Sequence, residues 1–85
     1  MKTGSGSQVI VRNPGVHGGE PIVRGTRVPV RSIVIALERH SGDVARVGRS
    51  FTLDPEQVRA ALAYYETHKA EIDEIIEQRE QAAQA

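Results

Sequence analysis

Several residue types are missing or scarce in this 85-residue sequence. It has no cysteine and no tryptophan, one methionine, two tyrosines and one phenylalanine. Without cysteine there is no disulfide, no thiolate metal site and no cysteine nucleophile, and the chain suits a reducing compartment. So few aromatics argue against a platform that stacks single-stranded bases. No apolar run is long enough to span a membrane. The start, Met1 to Ser7, carries one positive charge and no apolar stretch, so it reads as a disordered leader and not as a signal peptide. These exclusions make the cytoplasm the expected location.

The length leaves room for one domain with a modest core. Domains of this size commonly need a staple such as disulfides, a metal or a second subunit. Disulfides are excluded, and His17, His40 and His68 lie scattered without ligand spacing. A homodimer is therefore expected. Net charge is zero, but it is unevenly spread. Residues 1–60 hold nine Lys/Arg against five Asp/Glu, whereas residues 61–85 hold two against six. A basic head and an acidic tail suggest two surfaces with different partners. A merely solvated acidic helix is the plain alternative.

Gln8-Val9-Ile10-Val11-Arg12 is short and β-branched and predicts a strand, stopped by Asn13-Pro14-Gly15. Pro21 to Arg24 predicts a second strand, with proline at its tolerated first position. After the Gly25-Thr26-Arg27 turn, Pro29 biases Val28 away from helix and permits one to start behind it. The first helix is expected from Arg31 to His40, its apolar face being Ile33, Val34 and Leu37. Ser41 is a candidate N-cap for a short second helix over residues 42–48. Gly48-Arg49-Ser50 should end it, leaving extra residues in the following turn. Asp54-Pro55-Glu56-Gln57 is the clearest helix start in the chain, with an N-cap, a first-turn proline and a capping-box glutamine. No glycine or proline follows Glu56, and Val58, Leu62, Tyr65, Lys69, Ile72, Ile76 and Arg79 recur at four and three residues. The spacing predicts one long third helix that projects beyond the core and exposes Ile72, Ile75 and Ile76, an apolar patch in need of a partner.

The expected fold is mainly α. A short N-terminal β-hairpin and a helix-turn-helix domain occupy residues 8–68, and a helical extension occupies residues 69–85. The second and third helices would form the helix-turn-helix, with Glu56, Gln57, Arg59 and Ala60 near the exposed start of the recognition helix.

Each candidate site has a plainer reading beside it. Gly18-Gly19 and Gly25 lack the spacing and the Lys-Ser/Thr of a phosphate loop, so they read as turn glycines. Arg24, Arg27, Arg31, Arg46 and Arg49 could hold a DNA backbone, or could be ordinary surface arginines. Glu66, Glu71, Asp73, Glu74, Glu77 and Glu80 share one helix with no nucleophile or closed pocket, so acid–base chemistry is not expected. Tyr65 lies on the seam and Tyr64 on its flank. No enzyme active site, cofactor, metal or small-molecule substrate is expected.

The run Gly18-Gly19-Glu20-Pro21-Ile22-Val23-Arg24-Gly25-Thr26-Arg27-Val28-Pro29-Val30 resembles the GGxPxIxGTRxPV signature of a widespread bacterial and archaeal family, the domain of unknown function numbered four-three-three. Pro55 to Tyr65 is similar to that family's second characteristic stretch. The resemblance covers about residues 9–75, and it departs from the pattern at Ser41-Gly42-Asp43-Val44. Members resemble VapB-type antitoxins encoded beside PIN-like ribonuclease toxins. The resemblance implies a homeodomain-like three-helix core and an antitoxin that binds its toxin and represses its own operon. The candidate DNA contacts are Arg24, Arg27, Arg31, Arg49, Gln57 and Arg59. The candidate partner contacts are Tyr65, Ile72, Ile75, Ile76 and Arg79. The expected partners are thus a PIN-like toxin, operator DNA and a second copy of the chain. PIN-type sites are themselves acidic, so three arrangements stay open: an acidic tail bound elsewhere on the toxin, Arg79 or Lys69 reaching the site alone, or a long helix that is the dimer seam. A non-DNA-binding, homodimeric interaction module is the competing reading.

Overall fold

The computed structural model describes residues 9–84. The expected leader at residues 1–7, and Gln8 of the first strand, lie outside them. Two short strands precede four helices: β1 (Ile10–Arg12), β2 (Pro21–Val23), α1 (Val30–Arg39), α2 (Val44–Phe51), α3 (Pro55–Thr67) and α4 (Lys69–Gln84).

The strands pair antiparallel, with Ile10 opposite Val23, Val11 opposite Ile22 and Arg12 opposite Pro21. Between them, His17, Gly18 and Gly19 form a tight turn in which all three residues take positive φ. After β2, Gly25 takes φ 80°, and the Thr26 hydroxyl pins the turn. It donates to the Val23 carbonyl at 2.8 Å and accepts from the Val28 amide at 3.0 Å. The Gly-Thr-Arg segment thus fixes how the chain leaves the sheet and enters α1, for which Pro29 is the N-cap.

Where the helices meet, the structure corrects two expectations. Ser41 does not cap α2. It takes the left-handed conformation (φ 56°) just beyond α1, and the Gly42 amide returns to the Leu37 carbonyl at 2.7 Å. This closes α1 by the left-handed C-terminal device. An N-cap needs extended backbone, which Asp43 supplies, and its carboxylate accepts from the Arg46 amide at 3.1 Å. Nor does Gly48 end α2. It lies inside the helix at the closest approach to the next segment, and a Cβ there would sit 2.7 Å from the Leu53 carbonyl oxygen. The helix runs on to Phe51 and stops at Thr52, which is left-handed (φ 59°), with the Leu53 amide bonded to the Gly48 carbonyl at 2.7 Å. The connection to α3 is therefore only residues 52–54, without the extra residues expected there.

The predicted start of α3 is observed: Asp54 is the N-cap, Pro55 follows, and Gln57 accepts from the Asp54 amide at 2.8 Å. The long third helix is not. It breaks at His68 (φ −135°, ψ 35°), where the Thr67 hydroxyl donates to the Tyr64 carbonyl and the His68 ring stacks on Tyr64 at 3.9 Å. The chain then bends into α4, which packs against α1. This bend buries Ile72 completely, in one core with Val23, Val30, Ile33, Val47, Val58 and Ala61. Burying a side chain of this size is worth roughly 1.5–3 kcal/mol, which a straight helix projecting into solvent would forgo. Among the described residues, no helix is long and apolar enough to cross a membrane.

Candidate functional site

The arginines fall into two sets. The first is tied to carboxylates. Glu20 sits between the His17–Gly19 turn and β2, and it is buried to 7% exposure. Its Oε1 accepts from Nε of Arg31 at 2.8 Å, and its Oε2 accepts from a terminal nitrogen of Arg79 at 2.6 Å. The same nitrogen of Arg79 also donates to the His17 carbonyl at 3.2 Å. One buried carboxylate thus joins the loop, α1 and α4, as a buried charge requires. On the same side, Arg12 donates to both the Glu71 carboxylate and the Tyr64 hydroxyl. The bond to Glu71 holds the Arg12 guanidinium above its usual range. Tyr65 donates to Asp73 at 2.8 Å, and this bond, with some burial, raises its hydroxyl above the usual tyrosine value. Lys69 lies over the Tyr65 ring, 5.9 Å from its centre.

The second set has no carboxylate partner among the described residues: Arg24, Arg27, Arg39, Arg46, Arg49 and Arg59, all exposed. Arg24 and Arg27 stand on the turn before α1. Arg46 and Arg49 are three residues apart on α2, on the face opposite buried Val47 and Gly48. Arg59 stands on the exposed face of α3, with Glu56 and Ala63. In this region Asp43 caps α2 and Glu20 is buried, while Asp54 and Glu56 are exposed at the start of α3. The outer face of α4 carries exposed Glu74, Glu77 and Glu80. Arg12 of the basic head bonds Glu71 of the acidic tail, and Arg79 of the tail bonds Glu20 of the head, so the two parts are joined along one side of the molecule.

The candidate DNA contacts divide accordingly. Arg24, Arg27, Arg49 and Arg59 are exposed and form no ion pair among the described residues, whereas Arg31 is engaged by Glu20 and the Gln57 side-chain oxygen is engaged in capping α3. Of the candidate partner contacts, Ile72 is withdrawn, because it is core. Ile75 and Ile76 are half-buried against that core, and Arg79 is occupied by Glu20. Tyr65 remains partly accessible. Glu20 and Arg12 escaped the sequence reading. The one available signal for Glu20 was a carboxylate set directly before the apolar strand Pro21-Ile22-Val23. Nothing local marks Arg12, whose partners lie 52 and 59 residues away.

Comparison with known proteins places these observations. The family model described as "Protein of unknown function (DUF433)" matches residues 10–65, from β1 into the last turn of α3. The uncharacterized protein y4eO of Sinorhizobium fredii (strain NBRC 101917 / NGR234) is 36% identical over 63 residues, 72% of this chain. The chain spans only 28% of that relative's length. The crystal structure of a DUF433 member protein from Anabaena variabilis ATCC 29413 is similar with a TM-score of 0.69 at 34% identity. The similarity covers 80% of this chain and 67% of that one.

Proposed function

The chain belongs to the DUF433 family, and from that membership and the geometry of α2 and α3 we propose that it is a helix-turn-helix DNA-binding protein serving as the antitoxin and autorepressor of a toxin–antitoxin pair. In this reading α1, α2 and α3 form a homeodomain-like unit with α3 as the recognition helix. The observation that carries it is the set Arg46, Arg49 and Arg59, without an ion-pair partner among the described residues, on the outer faces of two helices joined by a three-residue turn. Guanidinium groups left without a carboxylate suit phosphate oxygens, which take up to two parallel hydrogen bonds from each. Ala60 and Ala63 leave α3 slim enough to approach a groove.

Titration of labelled DNA from upstream of its own gene, at several salt concentrations, tests the DNA part. Binding should weaken steeply with salt, and replacing each phosphate-contacting arginine by alanine should reduce the log–log slope by about 1. Affinity unchanged in the triple variant R46A/R49A/R59A rejects this reading. It would favour a protein-interaction module that leaves DNA alone, which Glu56 in the first turn of α3 already supports.

For the toxin, the reading assigns the outer face of α4. Its acidic residues would meet a basic surface of a PIN-like nuclease away from the acidic active site. Deleting α4 would remove Ile72 from the core, so the informative variant is E74K/E77K/E80K. Co-purification of the neighbouring toxin with the parent chain, and its loss with this variant, is the expected outcome. Retention by the variant would reject the α4 assignment.

A further inference from the structure

A recess of about 450 Å³ opens between the hairpin turn and α4. Two guanidiniums stand in its walls, Arg12 from β1 and Arg79 from α4. Gly18 and Gly19 border it without side chains. A Cβ on Gly18 would meet nothing within 4 Å, so the recess is open on that side. Half-buried Ile75 adds an apolar patch, and exposed Gln78 adds an amide. His17 anchors the loop, its Nε2 donating to the Arg27 carbonyl at 2.9 Å.

Both arginines are held in place with donors to spare. One terminal nitrogen of Arg79 serves both Glu20 and the His17 carbonyl. One terminal nitrogen of Arg12 serves both Glu71 and the Tyr64 hydroxyl. Nε and the other terminal nitrogen of each side chain form no bond among the described residues. A guanidinium offers all of these as donors in one rigid plane. Each of the two side chains is 48% exposed, which leaves room for an incoming acceptor. The ion pairs at the recess join the guanidiniums of Arg12, Arg31 and Arg79 to the carboxylates of Glu20 and Glu71, so one positive charge is left over.

We propose that this recess binds a small phosphate monoester, its phosphate bridging Arg12 and Arg79 and its organic group lying against Ile75. A phosphate monoester carries close to two negative charges at neutral pH and three terminal oxygens, enough to accept from guanidiniums on two walls. A carboxylate has two oxygens in one plane, which a single guanidinium fork already fills. The recess is larger than a phosphate group, and the remainder accommodates a substituent. A nucleic acid strand fits less well, because exposed Glu74, Glu77 and Glu80 of α4 repel a long polyanion approaching that helix. The composition gave no sign of such a ligand, since Arg12 and Arg79 meet only in the folded chain. The proposal does not rest on the antitoxin reading, whose DNA contacts lie on α2 and α3.

The test is an NMR titration of the full chain with phenyl phosphate at neutral pH, following backbone amides and arginine side chains. Saturable shifts centred on Arg12, residues 17–19 and residues 78–79 are expected, with a midpoint of about 1 mM or tighter. Dimethyl phosphate, a diester of single charge, and acetate should bind at least about tenfold more weakly. Gln78→Glu should weaken phenyl phosphate at least about threefold, and Gln78→Lys should tighten it by a similar factor. Ala63→Glu makes the same charge change on the exposed face of α3 and should leave the affinity as in the parent, which separates a local charge from a general one. Both positions are exposed, so circular dichroism of these variants should match the parent. Phenyl phosphate should also raise the midpoint of thermal unfolding, because it binds only the folded chain. No saturation by about 10 mM overturns the proposal. So do shifts centred on Arg46, Arg49 and Arg59, acetate binding as tightly as phenyl phosphate, or Gln78 variants indistinguishable from the parent. A short DNA duplex that shifts the recess residues at lower concentration than phenyl phosphate would make nucleic acid the occupant and overturn the small-molecule assignment.

Discussion

On the side formed by the hairpin turn and α4, arginines meet carboxylates: Arg31 and Arg79 share Glu20, and Arg12 holds Glu71. On the side formed by α2 and α3, Arg46, Arg49 and Arg59 meet none among the described residues. The residue type is the same, and the difference lies in where the fold spends its acids. Glu20 is buried, so it must be neutralised in place, and two arginines from distant parts of the chain are drawn to it. Around α2 the nearest acid, Asp43, accepts from the Arg46 amide and forms no ion pair with Arg46 or Arg49 among the described residues. An arginine's role here is thus decided by the nearest carboxylate, not by its position in a motif. What remains exposed is charge available to a partner.

The comparison can be broken most severely from inside. Ile72→Ala should cost about 2–5 kcal/mol in urea unfolding, because it opens a cavity beneath α4 and loosens the helix that carries Glu71 and Arg79. The paired side would then lose its pairs, and trypsin should reach Arg79 faster than in the parent. A loss under 1 kcal/mol would mean that α4 is not docked as described. Glu20→Gln keeps the shape and removes the charge. It should cost about 2 kcal/mol in thermal unfolding, since both of its bonds are charge-assisted. Arg79→Ala should cost less, about 1 kcal/mol, because Arg79 is 48% exposed and its attraction is screened by solvent.

The unpaired side should respond in the opposite way. Arg46→Ala and Arg49→Ala should change stability by no more than about 0.5 kcal/mol, and on the proposed reading they should weaken DNA binding. Stability losses equal to those of Glu20→Gln would erase the distinction between the two sets. The smallest effect concerns Tyr65. Its hydroxyl is raised by donating to Asp73, so the neutral form is favoured in the folded state. That contribution is full below the unfolded tyrosine value, near pH 10, and is lost as pH rises through the higher folded value. In Tyr64→Phe, absorbance titration should place the remaining tyrosine above its usual value, and adding Asp73→Ala should bring it down. No change on removing Asp73 would show that the bond is not formed in solution.

Much of the local structure was legible. β1 and β2, α1 and the start of α3 follow from β-branched runs, turn glycines, Pro29 and the Asp54–Gln57 cap, all of which act within a few residues. The α2 boundaries were misread because Ser41 and Gly48 are ambiguous in sequence. A serine serves as a cap only with extended backbone, and a glycine inside a helix looks like a terminator until its close approach to Leu53 is seen. Of the candidate site, the exposed arginines could be named in advance. Which of them were already engaged could not, because the Arg31–Glu20 and Arg79–Glu20 pairs span 11 and 59 residues.

By itself, the sequence determined the order of the elements, the separation of a basic head from an acidic tail, and the family signature carried by the Gly18–Val30 run. These depend on neighbouring residues and on composition. Only the tertiary structure decided that the last helix breaks at His68 and that α4 packs against α1. The apolar spacing runs through that point without interruption, and no glycine or proline marks it. A straight helix and a bent one satisfy the same local hydrogen bonding almost equally well. What separates them is the burial of Ile72 and the pairing of Arg79 with Glu20, and both exist only once distant segments have met.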